Sequence, residues 1–224
     1  MIIYCAANKP YFDLYFNLWA KQLEKYYPKY KKVIALYKCT SEDIQHANNK
    51  GVEVRDISND TRMPKEPTLN HLYLLRWANL PYDLGENILE TQINCLAVKG
   101  EQPIPKDNWG VEHARICRYK WKPQRGKILA GISAAVFTPK GAEKVVKEAT
   151  EMLKDPPSGD HPMNMWQSKN LSNELVLGEQ QYKHLNHPLE PYTYWITAGT
   201  SAYYTPEQKL EVLNHYVDAD SKRK

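Results

Sequence analysis

Cysteine is scarce in this chain. Its four copies among 224 residues, Cys5, Cys39, Cys95 and Cys117, show no Cys-x-x-Cys spacing and three lie inside or beside apolar runs. They read as small buried hydrophobes, not as a disulfide framework or a metal site. Glycine is sparse too, at ten residues, and no Gly-x-Gly-x-x-Gly follows the first apolar run, which removes the main support for a dinucleotide-binding dehydrogenase. No apolar run approaches a membrane span, and Met1-Ile2-Ile3-Tyr4-Cys5-Ala6-Ala7 has no basic n-region and too short an apolar stretch for a signal peptide. The expectation is a cytoplasmic protein with no membrane partner. The histidines, His184, His187 and His215 among them, lack an i, i+4 pairing with an acid, which argues against zinc. Charge of one sign is lacking as well: the formal net charge is +4, and part of the excess is the terminal Ser221-Lys222-Arg223-Lys224. Binding to an anion is permitted by this balance and not demanded by it.

What is present is an ordinary globular composition, 42% hydrophobic and 25% charged. Ile2 to Ala7 is a short apolar run that suits a buried parallel strand. A helical stripe from Tyr11 to Tyr27 follows and is stopped by Pro28. Lys32–Tyr37 reads as a strand, Ser41–Asn48 as a helix capped by Thr40 or Ser41, and Val52–Ile57 as a third strand. This β-α-β-α-β alternation predicts an α/β fold with a mostly parallel central sheet flanked by helices, whose strand carboxyl ends open on one edge, where ligands bind. A polar loop over 58–67 leads into a helix from Leu69 to Ala78, and then Asn87–Val98 reads as a central strand interrupted by polar residues. The remaining expectations are an irregular basic loop over 100–125, an apolar strand over 128–138, and helices from Pro139 to Met152, Leu171 to Leu185 and Tyr203 to Tyr216, the last with Thr205-Pro206 at its start. No linker divides the chain, so one domain over 1–224 is expected: a nucleotide-binding half over 1–100, an acceptor-side half over 101–200, and a terminal helix with a basic tail.

The passage Leu80-Pro81-Tyr82-Asp83-Leu84-Gly85-Glu86-Asn87-Ile88-Leu89-Glu90-Thr91-Gln92-Ile93-Asn94-Cys95 resembles the metal-binding stretch of GT-A-fold glycosyltransferases, in which an apolar strand is stopped by Asp-x-Asp. Ile128 to Phe137 is similar to that family's strand whose glycine lines the donor sugar, and Ser172-Asn173-Glu174-Leu175 is similar to its Asn-Asp-Glu signature, whose acid faces the acceptor. The resemblance spans Ile2 to Tyr182 and implies a nucleotide-sugar donor, a UDP-sugar first, with Mg²⁺ or Mn²⁺ as metal. It implies Glu90 and Gln92 as donor and metal residues, Gly131 with Ser133 at the donor sugar, and Glu174 as base. The chain departs from the family where two aspartates are expected, since Glu90 and Gln92 stand there and one is neutral. A metal would then be held by Glu90, Gln92 or Asn94 with help from the diphosphate, or the site would be metal-free and use Lys or Arg on the leaving diphosphate.

The residues themselves supply further candidates. At the end of the first strand, Ala6 and Ala7 allow close approach, Asn8 offers polar readout and Tyr11 a face for stacking on a base. Arg76, flanked by Leu74-Leu75 and Trp77, either pairs with a carboxylate at the sheet edge or reaches a phosphate. Arg115, Arg118 and Lys120 are candidates for the phosphate or acceptor side, as are Asp160 and His161. Glu174 and Glu179 are the candidate catalytic carboxylates, with Glu174 kept ionised if it opens a helix. Trp109, Trp121, Trp166 and Trp195 among basic residues permit a polymer acceptor, and small phage enzymes of this kind make hydroxymethylated cytosine in DNA one acceptor to consider. The competing readings are a non-catalytic nucleotide- or glycan-binding protein on the same fold and a nucleic-acid-binding module.

Overall fold

The computed structural model describes residues 1–97, 109–111, 114–116, 128–130, 134–156, 175–176, 190–191, 195–197 and 205–221. Strand β1 (Ile2–Asn8) leads into helix α1 (Lys9–Tyr26). The helix starts where it does because the Asn8 side chain accepts the backbone N–H of Tyr11 at 3.3 Å and Pro10 sits in the first turn, where no donor is needed. Its buried face repeats at helical spacing through Phe12, Tyr15, Phe16, Trp19 and Leu23. β2 (Lys31–Tyr37), α2 (Ser41–Asn49) and β3 (Val52–Asp56) follow, with Thr40 and Asp43 forming a reciprocal capping box on α2. Then come α3 (Leu69–Ala78), a 3-10 turn (Tyr82–Leu84), β4 (Ile88–Thr91) and β5 (Cys95–Ala97).

Short strands β6 (Trp109–Val111), β7 (Ala114–Ile116), β8 (Ile128–Ala130) and β9 (Ala134–Phe137) precede α4 (Pro139–Lys154). Thr138 caps α4 by accepting the Gly141 N–H at 3.1 Å. β10 (Leu175–Val176), β11 (Glu190–Pro191), β12 (Trp195–Thr197) and α5 (Pro206–Ser221) complete the described elements. α5 opens on a reciprocal cap: Thr205 N–H donates to Gln208 Oε1 at 2.9 Å and Gln208 N–H to Thr205 Oγ1 at 3.3 Å. Among the described residues no helix is long and apolar enough to cross a membrane.

The main sheet has the order β10-β6-β9-β4-β1-β2-β3. β4, β1, β2 and β3 are mutually parallel, and β9 runs antiparallel to both β4 and β6. The mostly parallel, helix-flanked α/β sheet expected from the alternation is therefore present. Because side chains alternate across a sheet, each strand feeds two cores. Ile3, Cys5, Ala7 and Leu89 join the core built around α1, whereas Ile2, Tyr4 and Ile88 join the one built around α3 and α4.

Two expectations are corrected here. The interrupted strand over 87–98 is two strands in two sheets, since β5 leaves the main sheet and pairs antiparallel with β12. The helix expected over 171–185 is not formed at Leu175–Val176, which pair parallel with Gly110 and Val111. A short apolar run has no period long enough to separate helix from strand, and here the edge of β6 decided it.

Candidate active site

β1, β2 and β3 are laid down outward in one direction, and the chain then returns to place β4 on the other side of β1. The switch point of the parallel strands thus falls between β1 and β4, and crevices for ligands open outside the carboxyl ends at such points. The register makes the recess concrete. Tyr4 lies opposite Glu90, so Thr91, the last residue of β4, comes level with Cys5 while β1 continues to Asn8. A turn closed by the Cys95 N–H donating to the Gln92 carbonyl at 3.0 Å then carries the chain away into the second sheet. The result is a step in the sheet edge beside Ala6, Ala7 and Asn8, past which the chain turns at Gln92–Asn94.

Of the predicted site residues, the structure brings Ala6, Asn8, Tyr11 and Gln92 to this edge. Asn8, half-buried at the end of β1, uses its side-chain oxygen to cap α1. Tyr11 is about one-third exposed, in the first turn of α1, with its ring 5.7 Å from that of Tyr15. Gln92 is half-buried. A residue the sequence reading passed over belongs with them: the half-buried phenol of Tyr73 on α3 is pushed up by burial and by the neighbouring Tyr11 phenol, and pulled down by Arg76. Tyr73 and Arg76 are three apart on one helix, which is the signal that could have paired them.

Glu90 is placed differently from the expectation. Its side chain has no exposed surface, and its Oε1 lies 2.8 Å from Nε of Arg76, itself nearly buried. The contact is a charge contact without hydrogen-bond angles. Burial pushes the Glu90 carboxyl up to about 7, against the opposing pull of Arg76 and of the Trp77 indole N–H. Tyr4 locks the same layer by donating its hydroxyl to the Arg76 carbonyl at 2.8 Å. Pleat parity explains the placement: Glu90 shares the α3 face with Ile88, whereas Thr91 turns to the α1 face and accepts the Trp19 indole N–H at 3.1 Å. Of the two fates foreseen for Arg76, the carboxylate partner is the one realised.

The rest of the edge is structural. Lys9 is tied to Asp13 and, at 3.2 Å, to Asp43. Lys38, just past β2, is exposed and adopts φ 53°, with its N–H donating to Ser58 Oγ at 2.9 Å. Arg115 lies in β7, opposite Leu129 of β8, and only its strand placement is described. Gly131, Ser133, Arg118, Lys120, Asp160, His161, Glu174 and Glu179 lie outside the described residues. The helix start invoked to keep Glu174 ionised loses its support, because Leu175 begins a strand.

The donor set at the β4 end does not fit the divalent cation that the fold implies. Its carboxylate is turned inward, Gln92 is a half-buried amide and Asn94 is buried. Among the described residues no group of three or more His, Cys, Asp or Glu gathers that could hold a metal.

No protein-family model matches the chain, and no curated protein does. Solved structures do. The glycosyltransferase GlyE of Streptococcus pneumoniae TIGR4 is similar over 81% of this chain and 46% of its own, at 10% identity and a TM-score of 0.53. The bifunctional glycosyltransferase WbbM is similar over 79% of this chain and 38% of its own, at 8% identity and a TM-score of 0.53. The galactosyltransferase LgtC, solved with donor and acceptor sugar analogues, is similar over 74% of this chain and 69% of its own, at 16% identity and a TM-score of 0.48. The chain thus spans under half the length of GlyE and WbbM, and what it shares with these two glycosyltransferases is the fold.

Proposed function

We propose that this chain is a glycosyltransferase that moves a sugar from a nucleotide-sugar donor, a UDP-sugar first, to an acceptor hydroxyl. The observation that carries the reading is the switch point between β1 and β4, with a small-residue strand end, the half-buried Asn8 and the exposed Tyr11 at the same edge. Tyr11 would stack on the base, with Asn8 reading its polar edge and Ala6 admitting the ribose. Arg76 would act from beneath the floor through the shape of the edge, and Gln92 would contact the diphosphate. Gly131 and Ser133 at the donor sugar, Arg115, Arg118 and Lys120 on phosphate, Asp160 and His161 toward the acceptor, and Glu174 or Glu179 as base complete the proposal. The whole of 1–224 would serve as one catalytic domain. The acceptor would be soluble, with hydroxymethylated cytosine in phage DNA as the polymer to try first.

The test is a calorimetric titration with UDP, GDP, CMP and dTDP, followed by turnover assays with the matching sugars. One nucleotide should bind, and Tyr11→Ala should weaken it by roughly 5- to 150-fold, the loss of about 1–3 kcal/mol of base stacking. No binding by any nucleotide would end the reading. Tight binding without turnover would favour a non-catalytic binding protein, the alternative that the inward-turned Glu90 keeps open.

A further inference from the structure

We infer that the described residues at the β4 end offer no seat for a divalent cation beside a nucleotide diphosphate. The inference rests on the donor reading above, and the chemistry of the edge carries it. Magnesium-like cations bound next to phosphates take hard oxygens, usually with one or two carboxylates from the protein. The last carboxylate of β4, Glu90, points into the core with Arg76 as partner. Swinging it out would strand a buried guanidinium, which is strongly destabilising.

Of the two polar residues that follow the strand, Asn94 is buried and Gln92 half-buried, and both are neutral amides, which cancel none of a cation's charge. Among the other described acids, Glu207 at the start of α5 is close enough to act on the Tyr15 phenol and would bring a single carboxylate from the α1 side. Asp13 and Asp43 hold Lys9. Asp56 ends β3, three strands from β4 in the sheet order, roughly 14 Å at ~4.8 Å per strand. The charge of the diphosphate then falls to N–H donors and cations of the chain, as fixed donors do for developing oxyanions.

The test begins with Mn²⁺ alone, titrated into the full chain and read by electron paramagnetic resonance. The wild-type protein should show no saturable site below ~1 mM, whereas Gln92→Asp should gain one, because it returns a carboxylate to the half-buried position just past β4. In the second arm the affinity for UDP and the other nucleotides is compared in EDTA and in Mn²⁺. Wild type should stay within about threefold, and Gln92→Asp should bind about tenfold or more tightly with Mn²⁺. A stoichiometric Mn²⁺ site in wild type that Gln92→Ala abolishes would overturn the inference, as would a tenfold gain of wild-type nucleotide affinity on adding Mn²⁺. Should no nucleotide bind in either buffer, the donor reading fails while the Mn²⁺ titration still decides the metal question. Circular dichroism of Gln92→Asp excludes misfolding, and Gln92→Glu supplies a second carboxylate variant that should also gain the site.

Discussion

Replacing Glu90 by glutamine removes one titrating group from the core without changing its shape, and its effect on stability should depend on pH in a way that can be calculated. The Glu90 carboxyl sits at about 7 in the folded protein, against about 4.5 when exposed. A folded state that holds its proton more tightly than the unfolded chain is favoured while that proton is on. This contribution is therefore fully present below about 4.5 and is lost as pH rises through about 7. A shift of 2.5 units corresponds to about 3.4 kcal/mol at ~1.36 kcal/mol per unit, of which about 2.5 kcal/mol falls between pH 5 and pH 8. Asp43, Asp60 and Asp83, all held below the usual carboxylate range, titrate alike in both proteins and cancel in the difference. Urea unfolding of wild type and Glu90→Gln at half-unit steps from pH 5 to pH 8 measures it. Wild type should lose about 2.5 kcal/mol relative to the variant across that range. Parallel curves would refute the reasoning, since they would mean that Arg76 and Trp77 compensate the carboxylate fully and burial does not raise it.

Thr91→Val should cost about 1–3 kcal/mol, because it removes the acceptor of the buried Trp19 indole N–H while keeping the volume, and a cycle with Trp19→Phe should recover part of that loss. Lys38→Gly should be more stable than Lys38→Ala by about 1 kcal/mol in urea titrations, as φ 53° strains every residue with a Cβ, and equal stabilities would show that the end of β2 relaxes to an ordinary conformation.

The first half of the fold was legible because its signals are local. β1, α1, β2, α2, β3 and α3 each carry their own period, and α2 its own cap in Thr40 with Asp43, and the parallel sheet follows from their alternation. The second half was not, because its strands are two to four residues long and are fixed by partners far away in sequence. Nothing near Cys95 announces that it will pair with Thr197, and nothing near Leu175 announces Gly110.

The site shows the same division at the scale of one residue. The polar break after Leu89 falls two residues short of the end of β4, and motif position alone assigned Glu90 to the solvent. Counting the pleat from Ile88 would have put Glu90 in the layer of Leu74, Trp77 and Phe137, where an acid needs a cation, and Arg76 on the preceding helix is that cation. The feature that looked like a weakened metal motif is therefore two features in succession. One is the buried Glu90–Arg76 contact, which joins β4 to α3. The other is the turn that follows, with Gln92 half-buried. Separating them by parity changes which substitution is informative: alterations at Glu90 report on the stability of the floor, and those at Gln92 report on the chemistry above it.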